Sequence, residues 1–467
     1  MHSATEEIVG FAKQTKFEDI PDEVVEKTKF LILDSLGIAI ASTTLPISVQ
    51  IKEMVYRILG IQSQNMAQRF DFGCTVIGEK DLLPVTHASL LNGSLIHSLD
   101  YDDTHTKSVI HNCAPLVPSA LSGAEYFQTS AKDFLKSLIL GFEFQIRIGL
   151  VAPGAFHARG FHMTSIAGTF GSSLVFGLLG NFTDKVIVSA LGVCGSMTSG
   201  LFEYLEDGSP VKVIHPGWAS QSGIVASLLA NEGFGGPSSI MEGRFGLYNS
   251  HIHGESFDVE ILTSELGEKW ETLDIAYKPY PCGHVIHAFL DAAKRIYSSD
   301  NYSVDSIKSI KCIAAKGTID LVLDPLGSKK VPRSSYDAKF SLPYCIASIL
   351  VRGTCNVDNF SEAAINDSKV LKVASLVSYE EDPSQDFPKY FPGSVEIIFD
   401  SGYRVIEDEK FQRGCLENPM SEYDIEKKFI DNTTMVFDQS TSQQLLDNVM
   451  GLETLENVKP LTEMLRF

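Results

Sequence analysis

Apolar positions recur three and four residues apart over most of the chain, the spacing of a helix with one buried face. Pro21-Asp22-Glu23 opens the first strong stretch, with Val24, Val25, Leu31, Ile32, Leu36, Ala39 and Ile40 on the helical period. A proline and two acids suit a first turn, where backbone N–H groups are free and the dipole favours negative charge. Residues 60–84 are polar and irregular. Helices are then predicted over 86–99, 115–127, 131–151 and 186–201. From Gly160-Phe161-His162 the chain becomes dense in small residues (Ser165, Ala167, Gly168, Gly171, Ser172, Ser173), which predicts a central helix approached closely by its neighbours. His162 is placed at its N-terminus. Lys212 and His215 fall in a non-helical link before a helix over 218–231, and residues 233–248 read as a glycine-rich turn region. That region follows no strand and precedes no strong helix, so it is not a dinucleotide fingerprint.

The pattern changes near Gly267. Residues 277–284 are extended, 284–298 and 342–351 read as helices, and 309–315 and 395–405 as strands, the latter with an Asp400-Ser401-Gly402 turn. Helix returns at 421–432 and 440–450. The chain thus divides into a helical domain over 1–267, a small α+β unit over 268–410, and a C-terminal stretch over 411–467 that rejoins the first domain. The fold class is mainly α.

Composition narrows the function. A chain of 467 residues, 44% hydrophobic and 21% charged, is that of an ordinary soluble globular protein. A net charge of -21 argues against nucleic acid, which needs basic patches. A small anionic substrate stays open: screening acts over about 8 Å, and one lysine about 4 Å away contributes ~4 kcal/mol at an effective dielectric of 20. The eight cysteines form no Cys-x-x-Cys pair, which points to a reducing cytoplasm rather than a zinc ribbon or an iron–sulfur signature. The first residues do not resemble a signal peptide, and no apolar run reaches membrane-spanning length.

Chemistry concentrates in His97-Ser-Leu-Asp100-Tyr-Asp102-Asp103-Thr104-His105, followed by His111. The cluster sits where a helix runs into a loop, a place where a rigid scaffold commonly holds functional side chains. Eleven of the twelve histidines lie between His87 and His287, and none follows. Read on residue types alone, three possibilities stand. One is acid/base chemistry on a small carboxylic acid. A second is a metal-dependent hydrolase using His97, Asp100, Asp102, His105 and His111 as ligands. The third is a non-catalytic carboxylate-binding protein.

Asp100-Tyr-Asp-Asp-Thr104 with His111 resembles the signature of the MmgE/PrpD family. Gly160-Phe161-His162, Asp207-Gly-Ser with Lys212 and His215-Pro-Gly, Lys278-Pro-Tyr-Pro-Cys282 and Phe340-Ser-Leu-Pro-Tyr344 resemble further family blocks, in family order. The family includes 2-methylcitrate dehydratase, cis-aconitate decarboxylase and iminodisuccinate epimerase. The resemblance implies a large all-helical domain built from both chain ends, a smaller lid, a homodimer, a site in the cleft between the domains, and no metal or organic cofactor. It implies a cleft lined by Asp100, Thr104, His111, His162, Lys212, Lys278 and Tyr344. In that frame His111 and His162 are expected as the acid/base pair, with Asp100 orienting an imidazole. Lys212, Lys278, Thr104 and His215 hold substrate oxygens, and Tyr344 closes the site and donates a proton or hydrogen bond. Cys282 is read as packing. The leading expectation is a 2-methylcitrate-type dehydratase acting on a small polycarboxylate, followed by a cis-aconitate-type decarboxylase or an iminodisuccinate-type epimerase.

Overall fold

The computed structural model describes residues 3–61, 73–300, 302–385 and 387–467. The chain is mainly α, with a smaller α+β part. Helix Asp22–Ser42 is buried on every side from Thr28 to Ser42, its polar Asp34 included, so it runs through the interior rather than along a surface. The central helix Met163–Leu179 is buried along almost its whole length. It packs against Cys113–Phe127, Ala131–Leu150 and His215–Asn231. Helix Val85–His97 crosses His215–Asn231 at a pair of glycines. A Cβ on Gly93 would come 2.7 Å from the Cα of Gly217, so only glycine allows this approach. The crossing brings the C-terminal end of one helix beside the N-terminal end of the other.

The chain's C-terminal helices, Glu422–Thr433 and Gln439–Met450, pack on Asp22–Ser42. Phe429 fills a notch at Gly37, where a Cβ would stand 2.8 Å from its ring. A buried ion pair, Lys428 Nζ to Asp34 Oδ1 at 2.7 Å, joins the same two helices.

Six strands occur among the described residues: β1 (Thr104–His105), β2 (Ile275–Ala276), β3 (Ile307–Ala314), β4 (Val377–Glu381), β5 (Gly393–Phe399) and β6 (Arg404–Glu409). β1 and β2 form an antiparallel two-residue ribbon, Thr104 opposite Ala276 and His105 opposite Ile275. The other four form one sheet in the order β4-β3-β5-β6, with β3 and β4 parallel and the remaining pairs antiparallel. Helices His287–Tyr297 and Leu342–Arg352 close its core around Phe289, Ile310, Ile346, Val395 and Ile397.

The structure departs from the sequence reading in several places. The helix expected to 201 ends at Cys194, and Leu201 instead pairs with Phe161 in an isolated bridge. The link carrying Lys212 and His215 is not irregular: Pro210–Ile214 is a 3-10 turn and His215 begins the next helix. Prolines at the start of each segment supply the φ of a first turn, so they start helix here rather than break it. Ala4–Gln14 and Pro46–Ile58 are further helices. β4 has a largely exposed face and no clean alternation, so period two could not reveal it. Of the polar stretch 60–84, residues 62–72 lie outside the described residues; Cys74 and Leu83 bridge antiparallel beyond them. No single described helix is long and apolar enough to cross a membrane.

Candidate active site

Helix Val85–His97 ends in a tight turn that puts Asp100 at φ 51°. Aspartate tolerates this left-handed conformation better than most residues, and the turn is closed by Asp100 N–H donating to the His97 carbonyl at 3.1 Å. The three acids that follow the helix are buried, and each has a different task.

Asp100 joins two lysines that are far away in sequence. Lys212 Nζ donates to Oδ1 at 2.5 Å. Lys278 Nζ donates to Oδ2 at 3.1 Å and to the Asp100 carbonyl at 2.9 Å. Burial alone would raise the Asp100 carboxyl, but the two ammonium groups hold it well below the usual carboxylate range. Asp102 accepts from His97 Nδ1 at 2.8 Å and lies 3.5 Å from His111 Nδ1; the imidazoles overcome burial and hold it low. Asp103 caps the start of helix Cys113–Phe127 from outside. Its oxygens accept from Asn112 N–H at 2.8 Å and Cys113 N–H at 3.0 Å. Burial and the adjacent Asp102 nevertheless raise its proton affinity.

His111 has a defined tautomer. Its Nδ1 lies 2.8 Å from the Asp103 carbonyl, which can only accept, so Nδ1 carries the proton. Nε2 therefore presents a lone pair, and Lys212 Nζ lies 3.5 Å from it. Thr104 Oγ1 is also 3.5 Å from the ring. His162 is the N-cap residue of the central helix, and its Nδ1 faces that of His215 at 3.0 Å. One of these nitrogens donates and the other accepts, so the pair cannot be doubly charged. Burial first, then neighbouring cations and imidazoles, push His111 and His162 well below the ordinary imidazole value and His215 to about 4.

These groups face a cavity of about 450 Å³ between the helical part and the α+β part. Six of the residues expected from sequence line it: Asp100, Thr104, His111, His162, Lys212 and Lys278. Three expectations are corrected. Asp100 does not hold an imidazole: its oxygens are taken by Lys212 and Lys278, and the neighbouring Asp102 accepts from His97 instead. His215 stands behind His162 and does not line the cavity, so its contact is with the imidazole rather than with a ligand. Tyr344 is sealed in the core of the α+β part, where its hydroxyl donates to the Asn359 carbonyl. It lies in the first turn of a helix whose buried face it joins, and it does not reach the cavity. The wall on that side is made instead by His284, Phe340 and Phe391. His157, Tyr204 and His284 are additions. Both ring nitrogens of His284 are buried without a partner. Its place six residues after Lys278, in a chain whose histidines all cluster before 288, was the available signal.

The five-residue ligand set considered for a metal hydrolase does not converge. Asp100 is committed to two ammonium groups, and His105 is turned to Ser108 at 2.8 Å. The nitrogens of His97, His111 and His162 do come within 4.8 Å of one another. The free Nε2 of His111, however, faces the Lys212 ammonium, which opposes a second cation at that point.

This geometry turns two ammonium groups and several imidazoles towards one cavity, a set able to meet anionic oxygens and move protons. The profile of the MmgE/PrpD N-terminal domain matches residues 6–260, and that of the MmgE/PrpD C-terminal domain matches residues 280–453. The chain belongs to the MmgE/PrpD family. Relatives include a cis-aconitate decarboxylase-like protein of Aspergillus oryzae, 24% identical over 99% of this chain and 97% of its own length. The cis-aconitate decarboxylases of Aspergillus terreus and Homo sapiens are each 26% identical, over 99% and 100% of this chain and 95% of their own lengths. The MmgE/PrpD chain described here is thus an enzyme whose relatives are lyases.

Proposed function

We propose that the protein is a lyase acting on a small di- or tricarboxylic acid, and that its reaction is a decarboxylation of the cis-aconitate type. The observation that carries this reading is the pair of buried lysines sharing one aspartate at the cavity wall. Breaking a bond beside a carboxylate leaves an electron pair on carbon, and cations aimed at carboxylate oxygens stabilise it. Lys212 and Lys278 supply that charge. Asp100 keeps the two ammonium groups together and is itself spared protonation by them.

The C–C bond to the departing carboxylate breaks, carbon dioxide leaves, and the electron pair takes up a proton. His111 is the donor this geometry favours. Burial and the nearby ammonium groups favour its neutral form, and its lone pair is turned to Lys212. A polyanionic ligand in the same cavity raises its proton affinity, so binding recruits the proton that the carbon then receives. Full-length alignment with the decarboxylases supports the same reaction. Dehydration, led by a 2-methylcitrate-type substrate, is the second reading. The ring centres of His111 and His162 are 6.1 Å apart, a spacing that admits a reacting carbon between an acid and a base.

Proton NMR in D₂O with cis-aconitate, 2-methylcitrate and citrate separates these readings. Loss of carbon dioxide from cis-aconitate, with one deuterium in the product, is expected. Loss of water from 2-methylcitrate alone would replace decarboxylation by dehydration. Deuterium exchange without net conversion would make the enzyme an epimerase, and inertness towards all three would overturn the substrate class.

A further inference from the structure

A second cluster of reactive side chains lies away from the cavity. The sulfurs of Cys282, Cys345 and Cys355 lie within 4.8 Å of one another, and all three residues are buried. They come from three segments. Cys282 ends the Lys278-Pro-Tyr-Pro-Cys run, Cys345 lies in the first turns of helix Leu342–Arg352, and Cys355 follows the Gly353 that ends that helix. All three are free thiols.

Buried cysteine is ordinarily a small apolar side chain. Cys74 and Cys312 fit that description, their thiols pushed up by burial and otherwise little perturbed. The trio does not. Its three sulfurs come together from separate segments close to the Lys339 ammonium, with Cys345 Sγ donating to the Ala338 carbonyl at 3.5 Å. Lys339 is itself buried, and it donates to the Leu99 carbonyl at 2.8 Å and the Pro281 carbonyl at 2.9 Å. His287 lies beside Cys282. Its Nε2 is 3.2 Å from the Cys282 carbonyl, so it donates there and leaves Nδ1 as a lone pair, buried and unpartnered.

We propose that Cys282, Cys345 and Cys355 form a binding site for a thiophilic divalent metal ion of the zinc and cadmium class, with the His287 imidazole alongside. A Zn–S bond of about 2.3 Å in a tetrahedron puts sulfurs about 3.8 Å apart, so the trio needs to contract by no more than about 1 Å. Three thiolates and a divalent ion carry one net negative charge, which the adjacent Lys339 ammonium offsets. Binding releases the thiol protons. The ion would tie the segment that delivers Lys278 to the core of the α+β part, and so stiffen the wall of the cavity. The site is closed and has no place for substrate, so its role is structural. It stands whatever reaction the cavity performs.

The test uses the full chain, expressed with zinc and, separately, loaded with cadmium. Native mass spectrometry after desalting is expected to show one ion per chain, with a thiolate-to-cadmium charge-transfer band in the ultraviolet. The ion should raise the unfolding temperature by roughly 2–5 °C. Cys355→Ser, in the loop beyond the helix, should lose the ion, the band and the shift, whereas Cys74→Ser should keep all three. Should Cys355→Ser fail to fold, Cys355→Ala and Cys345→Ala carry the same expectation. Two other results overturn the proposal. One is an ion retained equally by the trio variants. The other is a wild-type chain that binds none, whether its trio remains as free thiols or shows a two-hydrogen mass deficit marking a disulfide.

Discussion

The two walls of the cavity are built differently. The helical wall gathers His97, Asp100, Asp102, Asp103, Thr104 and His111 from fifteen consecutive residues and ties His97 to Asp102, His111 to the Asp103 carbonyl and Asp103 to the Asn112 N–H within or beside that stretch. The opposite wall delivers Lys278 and His284 from residues far along the chain. Lys278 is held mainly by atoms of the first wall, while His284 is held by nothing polar. One wall is therefore tied largely within its own segment, and the other largely across the cavity. A buried charge shared between them is where the two can be pulled apart.

The largest effect is expected at that shared charge. Asp100→Asn removes the counter-charge of two buried ammonium groups. It should cost about 3–5 kcal/mol of stability, read by urea denaturation, and abolish measurable turnover. Next comes His111→Gln, which leaves the lysine pair intact. It should lower kcat by about 10²–10⁴ with little change in unfolding midpoint, because it removes proton transfer rather than the wall. Equal losses in the two measurements would mean that His111 is structural.

Acid should loosen both walls. His157, His215 and His287 are each driven by burial to about 4, and His111, His162 and His284 well below their usual value. An unfolded chain protonates these imidazoles near pH 6.5, while the folded one resists. Between pH 6.5 and about 4 the unfolded state binds more protons, so stability falls as pH falls through this window. A loss of at least about 2 kcal/mol between pH 7 and pH 5 is expected in denaturant titrations. A flat profile would mean that the imidazoles are charged in the folded chain. The smallest effect is expected at Tyr344. Tyr344→Phe removes one hydroxyl donated to the Asn359 carbonyl and should cost about 1 kcal/mol, with kcat nearly unchanged. A large fall in kcat would put Tyr344 back in the chemistry.

The same contrast explains what could be read from sequence. The first wall is local, so its residues announced themselves by crowding. The central helix announced itself by its small side chains. Lys212 and Lys278 came from family resemblance, since nothing in their spacing tells that both reach one carboxylate. Tyr344 came the same way and failed, because a helix-starting block fixes a residue's position along the chain and not the face it joins. His215 lay on the correct segment but one layer back. β4 and the helices Ala4–Gln14 and Pro46–Ile58 were missed. β4 is partly exposed and short, and it pairs with a strand some sixty residues earlier.

The helix Glu422–Thr433 that fills the notch at Gly37 also reaches the reactive loop. Lys428 donates to the Tyr101 carbonyl at 2.9 Å, one residue from Asp100, while pairing with Asp34. A nascent chain emerging in order has made helix Asp22–Ser42 and its acidic loop long before this lysine exists. The loop must wait for 327 further residues before this polar anchor arrives, so its final setting is an event of the assembled fold rather than of the segment itself.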